Sequence, residues 1–436
     1  MREIFQRRRE AFFELMERAR GEDAVAVIPA AQSQLRNNDV RHPFRQDSDF
    51  YYLTGFEEPD AILVMSTRGR QTTLFVQPRD AHLEVWDGPR AGTDGAKSDF
   101  GADEAFNLAD LDANLVKLLQ NRHRLYYRIG RDRTFDARIL SAIERGGMRG
   151  RSLHYFPSEI VDPGVFLHEL RLFKKEDEIE KMRKAVAITG EGHVRAMAMA
   201  RPGMNEAEIE AMLLETFRKR GAKRLAYESI VGSGANATVL HYVDNDRTME
   251  DGELLLIDAG CEYEYFASDI TRTFPISGTF SKEQRAIYEV VLEAQLEAIS
   301  ACHIGSTAED VHERSAHAVA CGLVKLGLLS GEPEKLVEEG QHKAFFMHRT
   351  THWLGMDVHD VGAYFVDGKA RPLEPGMVLT VEPGIYISKN FTNVPPEWRS
   401  IGVRIEDDIL ITPTGPVVLS DAIPKTVEDV ERACRG

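Results

Sequence analysis

From residue 24 to residue 160, short apolar runs recur between turn residues: Val25-Ala-Val-Ile, Ala61-Ile-Leu-Val-Met, Thr73-Leu-Phe-Val and Leu125-Tyr-Tyr. Runs of this length, separated by helical stretches, predict the strands of an α/β domain. Ahead of them, Glu10 to Arg20 sets Phe12, Phe13, Leu15 and Met16 among charged residues, as a surface helix does. After Asp162-Pro-Gly the texture turns to charged helical sequence from Lys174-Lys-Glu-Asp-Glu, which puts a boundary between residues 160 and 175. We read residues 1–170 as an N-terminal α/β domain and 171–436 as a second domain.

That second domain opens with amphipathic helices. Asn205 with Glu208 forms a cap pattern before Ile209, Met212, Leu213 and Phe217, and Gly221 follows as a stop. Ser281 with Gln284 repeats the device before Ile287, Val290, Val291 and Ala294. Between and after them, Leu254 to Asp258, Tyr265 to Phe274, Met377 to Ile387 and Gly402 to Ile411 are rich in branched and aromatic residues and read as strands. The expectation is a helix-covered, largely antiparallel sheet. Gly252-Glu-Leu-Leu-Leu-Ile-Asp258-Ala-Gly260 also echoes Gly376-Met-Val-Leu-Thr-Val-Glu382-Pro-Gly384, which implies an internally duplicated domain.

Composition narrows the class. At 436 residues the chain exceeds what one core usually supports, so two domains are expected. Lys and Arg number 54 against 70 Asp and Glu, and a net charge of -16 repels phosphate backbones and anionic lipid, so neither nucleic acid nor a membrane is an expected partner. No run approaches the roughly 20 apolar residues that cross a bilayer, and no apolar stretch follows the opening arginines as in an export signal. Cys261, Cys302, Cys321 and Cys434 are too scattered for a disulfide framework or a thiolate metal site. We expect reduced thiols and a cytoplasmic location.

The chemistry is carried by acids inside apolar strands. A buried, unpaired carboxylate costs several kcal/mol and calls for a cation, a metal or a bound proton. Asp258, Asp269, Glu382 and Glu406 all sit this way. Any one of them alone is better read as a strand end or an arginine partner; four together reverse that reading. Alternation along a strand puts Asp258 on the face of Leu254 and Leu256, and lets Asp269 share a face with Ala267 and Thr271 across a hairpin. The same parity groups Arg404 with Glu406 and Asp408, where Arg404 can orient a ligand carboxylate, and sets Tyr386 on the face of Glu382.

Imidazoles come from one cluster, His348, His352 and His359, with His241 as a further candidate. His348 and His352 are four apart, but Arg349 stands where a zinc-protease helix needs its glutamate base. Four carboxylates and one imidazole form a hard set suited to two divalent ions, manganese first, with cobalt or zinc as alternatives. Two such ions about 3.5 Å apart can share a water, lowering its pKa from about 15.7 toward about 7, roughly 12 kcal/mol of easier deprotonation.

Asp258, Asp269 eleven positions on, the His348 to His359 segment, Thr380-Val-Glu382-Pro-Gly and Gly402-Val-Arg-Ile-Glu406-Asp-Asp together resemble the metallopeptidases of the pita-bread fold. Phe44-Arg-Gln-Asp-Ser-Asp-Phe-Tyr-Tyr-Leu-Thr-Gly-Phe and His352-Trp-Leu-Gly-Met-Asp-Val-His359-Asp resemble aminopeptidase P more than prolidase or methionine aminopeptidase.

The resemblance implies an α+β pita-bread catalytic domain with a pseudo-twofold duplication. By the same resemblance, Asp258 binds one metal, Asp269 and Glu406 bridge both, and His352 and Glu382 complete the set. Glu382 also handles the proton of the attacking water, and His359 and His241 contact substrate, with His348 nearby. The implied reaction releases the first residue from peptides with proline second.

The segment around Trp86 resembles one through which the N-terminal domain reaches a neighbouring subunit's site, implying a homo-oligomer, dimer or tetramer. Where the family often has glycine after the first histidine, this chain has Arg349-Thr350, which bears on substrate length. The competing readings are a prolidase and, more distantly, a metal-free binding protein or creatinase-like hydrolase.

Overall fold

The computed structural model describes residues 2–147 and 154–435 and divides into two compact units, Met1–Leu170 and Arg171–Gly436. In the first unit a six-stranded mixed sheet runs in the order Glu104–Asn107, Gln71–Val76, Ile62–Ser66, Ala24–Pro29, Arg124–Tyr126, Glu159–Val161. The four apolar runs read from the sequence are its central strands. Val25, Val27, Val64, Phe75 and Leu125 pack from the sheet onto Leu111, Leu115 and Ile139 of the covering helices.

The opening helix is longer than its apolar pattern, spanning Arg2–Arg20. Its N-terminal extension is held by two buried arginines: Arg8 donates to the Tyr52 carbonyl at 3.2 Å and Arg9 to the Leu53 carbonyl at 2.9 Å. These are carbonyls in the last turn of helix Ser48–Thr54, a turn whose carbonyls an α-helix leaves without intrahelical partners, so the arginines help to close it. Trp86 and Val85, on the short helix Ala81–Asp87, are 85% and 81% exposed.

The second unit repeats a pattern of two helices followed by antiparallel strands. Helices Glu176–Met199 and Glu206–Lys219 precede the pair Leu254–Ala259 and Ile270–Pro275. Helices Lys282–Ala301 and Ala308–Lys325 precede the pair Val378–Val381 and Asp407–Thr412. The expected caps are present, with Asn205–Glu208 and Ser281–Gln284 closing reciprocal boxes. A large core joins Ile209, Leu213 and Phe217 to Leu255, Ile257, Ile287, Val291 and Val403.

Three strands expected to be continuous are broken. Tyr265–Phe274 divides into Phe266–Ala267 and Ile270–Pro275, Met377–Ile387 into Val378–Val381 and Gly384–Ile387, and Gly402–Ile411 into Ile401–Arg404 and Asp407–Thr412. The breaks fall at Ser268-Asp269, Glu382-Pro383 and Ile405-Glu406. A ladder leaves a side chain perpendicular to its sheet, so ending it at each acid frees that acid to turn toward a common point. All four cysteines are free, and three are buried. No helix among the described residues is long and apolar enough to cross a membrane.

Candidate active site

The second unit holds a cavity of about 760 Å³ lined by Leu240, His241, Asp258, His348, His352, His359, Glu382 and Arg404, with Glu309, Arg349, Tyr364 and Phe365 on its outer wall. Ligand atoms of Asp269, His352 and Glu406 lie within 4.8 Å of one another. His352 Nε2 is 3.3 Å from Asp269 Oδ2 and 3.5 Å from Glu382 Oε1. Asp258 joins the group through Tyr227, whose hydroxyl lies 2.6 Å from Asp258 Oδ1 and 2.5 Å from Asp269 Oδ1. The five residues read as metal ligands therefore converge.

Local structure fixes each donor. Asp258 stands opposite Thr271 in the antiparallel ladder, and Thr271 donates its hydroxyl to Glu406 Oε2 at 2.7 Å. The Asp269 amide donates to Asp408 Oδ2, and the Glu406 amide to the Thr271 carbonyl. The His352 amide donates to the Thr380 hydroxyl at 3.2 Å, the Thr380 amide returns a bond to the His352 carbonyl at 3.0 Å, and the Glu382 amide donates to the Thr350 carbonyl at 2.9 Å. The histidine segment is thereby stitched to the strand that carries Glu382.

Arg404 donates to Asp258 Oδ2 at 2.5 Å, to the Tyr386 hydroxyl at 2.9 Å and to Thr271 Oγ1 at 3.2 Å. The parity that grouped Arg404, Glu406 and Asp408 holds across the break, since all three meet the Asp269–Thr271 stretch. Tyr386 also lies 2.9 Å from His348 Nε2, and His348 Nδ1 lies 3.7 Å from Glu382 Oε2. His359 crosses His352 edge to face at 4.5 Å between ring centres and is exposed to the cavity, as is His241.

The loop carrying His359 is clamped from below. Asp360 accepts from Arg171 at 2.6 Å and Lys174 at 3.0 Å, all three side chains being almost fully buried. Arg171 also bonds Asp357 at 2.7 Å. Gly355 is required here: a Cβ at that position would lie 2.0 Å from Asp360 Oδ2.

Electrostatically the site holds more negative charge than its own cations balance. Burial raises the Glu382 carboxyl to about 8, with His352 and Arg404 opposing and Asp269 and Asp258 adding. Burial, then the charges of Asp269, Glu382 and Asp258, lift Glu406 far above the carboxylate range, and burial also raises Asp258. Asp269 stays low, because its bond and charge contact with His352, and its contacts with Tyr227 and Arg404, outweigh its burial. His352 is drawn up to about 9: burial disfavours its charge, but Asp269 and Glu382 dominate. Divalent cations relieve this repulsion directly, and an oxygen-rich set with one imidazole suits hard ions. The residues present therefore fit a divalent metal.

Residues 180–413 match metallopeptidase family M24, and residues 5–126 match the aminopeptidase P N-terminal domain. The Xaa-Pro aminopeptidase of Escherichia coli is 42% identical over 433 residues, covering 99% of this chain and 97% of that protein. The chain belongs to the aminopeptidase P branch of metallopeptidase family M24. Its fold is similar to that of the aminopeptidase PepP of Pseudomonas aeruginosa, with a TM-score of 0.96 and 47% identity, covering 100% of this chain and 98% of that one. It is also similar to zinc-substituted Escherichia coli aminopeptidase P in complex with product, with a TM-score of 0.95 and 42% identity, covering 100% and 98%. The architecture of this aminopeptidase P family member is thus an N-terminal α/β domain and a pita-bread C-terminal domain, and divalent-metal use comes with the family.

Two parts of its site were not found from the sequence. Tyr227 lies in the irregular stretch between Arg224–Leu225 and Ile230–Ser233, where no periodicity marks it. Asp360 was read only as the end of a histidine motif, because its partners are 186 or more positions away.

Proposed function

We infer that this chain is an Xaa-Pro aminopeptidase, hydrolysing the bond between the first residue and a following proline. The observation that carries the reading is the gathering of Asp258, Asp269, His352, Glu382 and Glu406 at one side of a cavity that also presents His241, His348 and His359. The prolidase reading is disfavoured by the relationship to Xaa-Pro aminopeptidases along almost the whole chain.

The five donors would hold two divalent ions, manganese in our proposal, with cobalt or zinc as substitutes. When bound, such ions polarise the scissile carbonyl and acidify the attacking water. Glu382 is placed to accept a proton from an attacking water and to return it toward the leaving proline nitrogen. His241 and His359 hold the substrate and stabilise charge developing on the carbonyl oxygen, and His348 is braced for this by Tyr386. Arg404 holds Asp258 in place from beneath. Proline's nitrogen carries no hydrogen and its ring fixes the backbone angle, so the bond before proline differs from every other peptide bond in both shape and donors, which gives a site the means to select it.

We further propose a cytoplasmic homo-oligomer, dimer or tetramer. Leu83, Val85 and Trp86, all exposed on one short helix, support this, because grouped exposed apolar side chains, unlike single ones, mark contact surfaces. Trp86 then closes the active site of a neighbouring copy, and full activity in a proven monomer would remove that role.

The test is mass-spectrometric product analysis of Arg-Pro-Pro, Arg-Ala-Pro and Arg-Pro. Arginine released from Arg-Pro-Pro but not Arg-Ala-Pro is the expected result. Cleavage of the dipeptide alone makes the protein a prolidase, and inertness toward all three returns it to the binding proteins of the fold.

A further inference from the structure

Beyond the histidines and acids at its inner end, the catalytic cavity is lined by carbon-rich surface, two threonines and one ion pair. Leu240, Ala308, Tyr364, Phe365 and Ala370 contribute carbon-rich surface, and the charged side chains among them are Arg349 and Glu309. Arg349 NH1 lies 3.2 Å from Glu309 Oε1, and NH2 meets Oε2. Both side chains are about half exposed, and an ion pair so exposed contributes at most about 1 kcal/mol. Glu309 lies in the first turn of helix Ala308–Lys325, where the helix dipole favours its negative charge with or without the arginine.

The backbone beneath this weak pair is fixed. The Arg349 carbonyl lies 2.8 Å from His348 Nδ1, and the next carbonyl, that of Thr350, accepts from the Glu382 amide. Thr350 is fully buried, and its hydroxyl lies 2.9 Å from His312 Nδ1. Arg349 thus combines an anchored main chain, directly joined to the catalytic histidine segment, with a guanidinium free to exchange partners.

An enzyme that removes one N-terminal residue encloses that residue and lets the remainder of the peptide leave through the open side. Each residue after proline advances the chain by roughly 3.3–3.6 Å, so the carboxylate of a tripeptide ends close to the cleaved bond, within a cavity whose lining includes Arg349. A peptide's C-terminal carboxylate needs a counter-charge, and Arg404 at the inner end of the cavity is already engaged by Asp258, Tyr386 and Thr271. On the wall, Arg349 is the counter-charge.

We propose that Arg349 is a specificity-determining residue that binds the C-terminal carboxylate of short Xaa-Pro-Yaa peptides, displacing Glu309 from its guanidinium. This rests on the Xaa-Pro aminopeptidase reading. A planar guanidinium donates two parallel bonds to one carboxylate, so a substrate carboxylate can take the place of Glu309 on the same donors. The enzyme therefore favours free-acid tripeptides over their amides.

The experiment measures kcat/KM for Arg-Pro-Ala and Arg-Pro-Ala amide in the metal-loaded full chain, in Arg349→Gln and in Glu309→Gln. The expected wild-type preference for the free acid is about tenfold, the scale of one charge-assisted contact. Arg349→Gln brings that ratio close to one, and Glu309→Gln raises it by removing the competitor. A wild-type ratio near one, or an unchanged ratio in Arg349→Gln, overturns the proposal while arginine release continues to support the reading it rests on. If the wild type releases arginine from neither peptide, both fall together.

Discussion

Replacing Asp360 with Asn tests whether the loop bearing His359 is held by buried charge. The Asp360 carboxylate is 1% exposed and receives Arg171 and Lys174, whose side chains are 2% and 1% exposed. Burial alone would raise its pKa, but the charges of Lys174 and Arg171 hold it below the ordinary carboxylate value. Asn keeps the volume and one acceptor but removes the charge. Arg171 retains Asp357 at 2.7 Å, whereas Asp360 is the acceptor on which the Lys174 ammonium rests.

Breaking a buried pair from one side costs about 3–5 kcal/mol. The retained acceptor and Asp357 place this case near 3. For a unit of this size that is roughly 6–9 °C in melting midpoint, read by scanning calorimetry at pH 7. Replacing Lys174 with Met in the same chain removes the stranded ammonium, so the double variant should be more stable than Asp360→Asn alone.

Because the folded pKa is depressed, the contribution of Asp360 is complete above the unfolded value near 4 and is lost as pH falls below it; the Asn variant lacks that acid-limb dependence. With its neighbour loosened, His359 is misplaced, and kcat/KM should fall by about ten- to a hundredfold. A loss under 1 kcal/mol in Asp360→Asn, or no recovery with Lys174→Met, would refute the clamp.

Three further outcomes are expected. Asp269→Asn should abolish turnover while circular dichroism and melting stay close to wild type, since the side chain we propose as a shared ligand loses its charge but almost no volume; retained activity would remove Asp269 from the proposed ligand set. Tyr227→Phe, which deletes the hydroxyl between Asp258 and Asp269, should weaken divalent-metal affinity by about 10- to 100-fold in competition titrations, and unchanged affinity would make Tyr227 a packing residue only. His193 is fully buried, and burial, with Arg272 nearby, lowers its pKa to about 3. Its contribution to stability is therefore intact above about 6.5 and is lost as the pH falls toward 3. At pH 5 the loss is about 2 kcal/mol, so His193→Met should lose that much less than wild type between pH 7 and pH 5, as measured by urea unfolding.

Much of the site was legible because acids are expensive inside apolar strands. Asp258, Asp269, Glu382 and Glu406 drew attention for that reason, and Arg404 and Tyr386 followed from strand parity. The strand breaks at Asp269, Glu382 and Glu406 were not legible, because propensity continues through positions where the demand for converging donors ends the ladder. The start of the first helix at Arg2 was hidden because Arg8 and Arg9 look like solvated charge until the carbonyls of Tyr52 and Leu53 are seen to need them. Tyr227, and the attachment of Asp360 to Lys174, depend on contacts between distant parts of the chain that no local pattern encodes.

We propose that Xaa-Pro cleavage here depends on a pair of divalent ions held by Asp258, Asp269, His352, Glu382 and Glu406. The most direct measurement is elemental mass spectrometry of the chelator-treated protein during stepwise manganese addition, with arginine release from Arg-Pro-Pro followed in the same samples. Activity should be absent after chelation and should rise to a plateau as two ions bind per chain. Full activity in protein carrying essentially no metal, or a plateau reached with one ion, would contradict it.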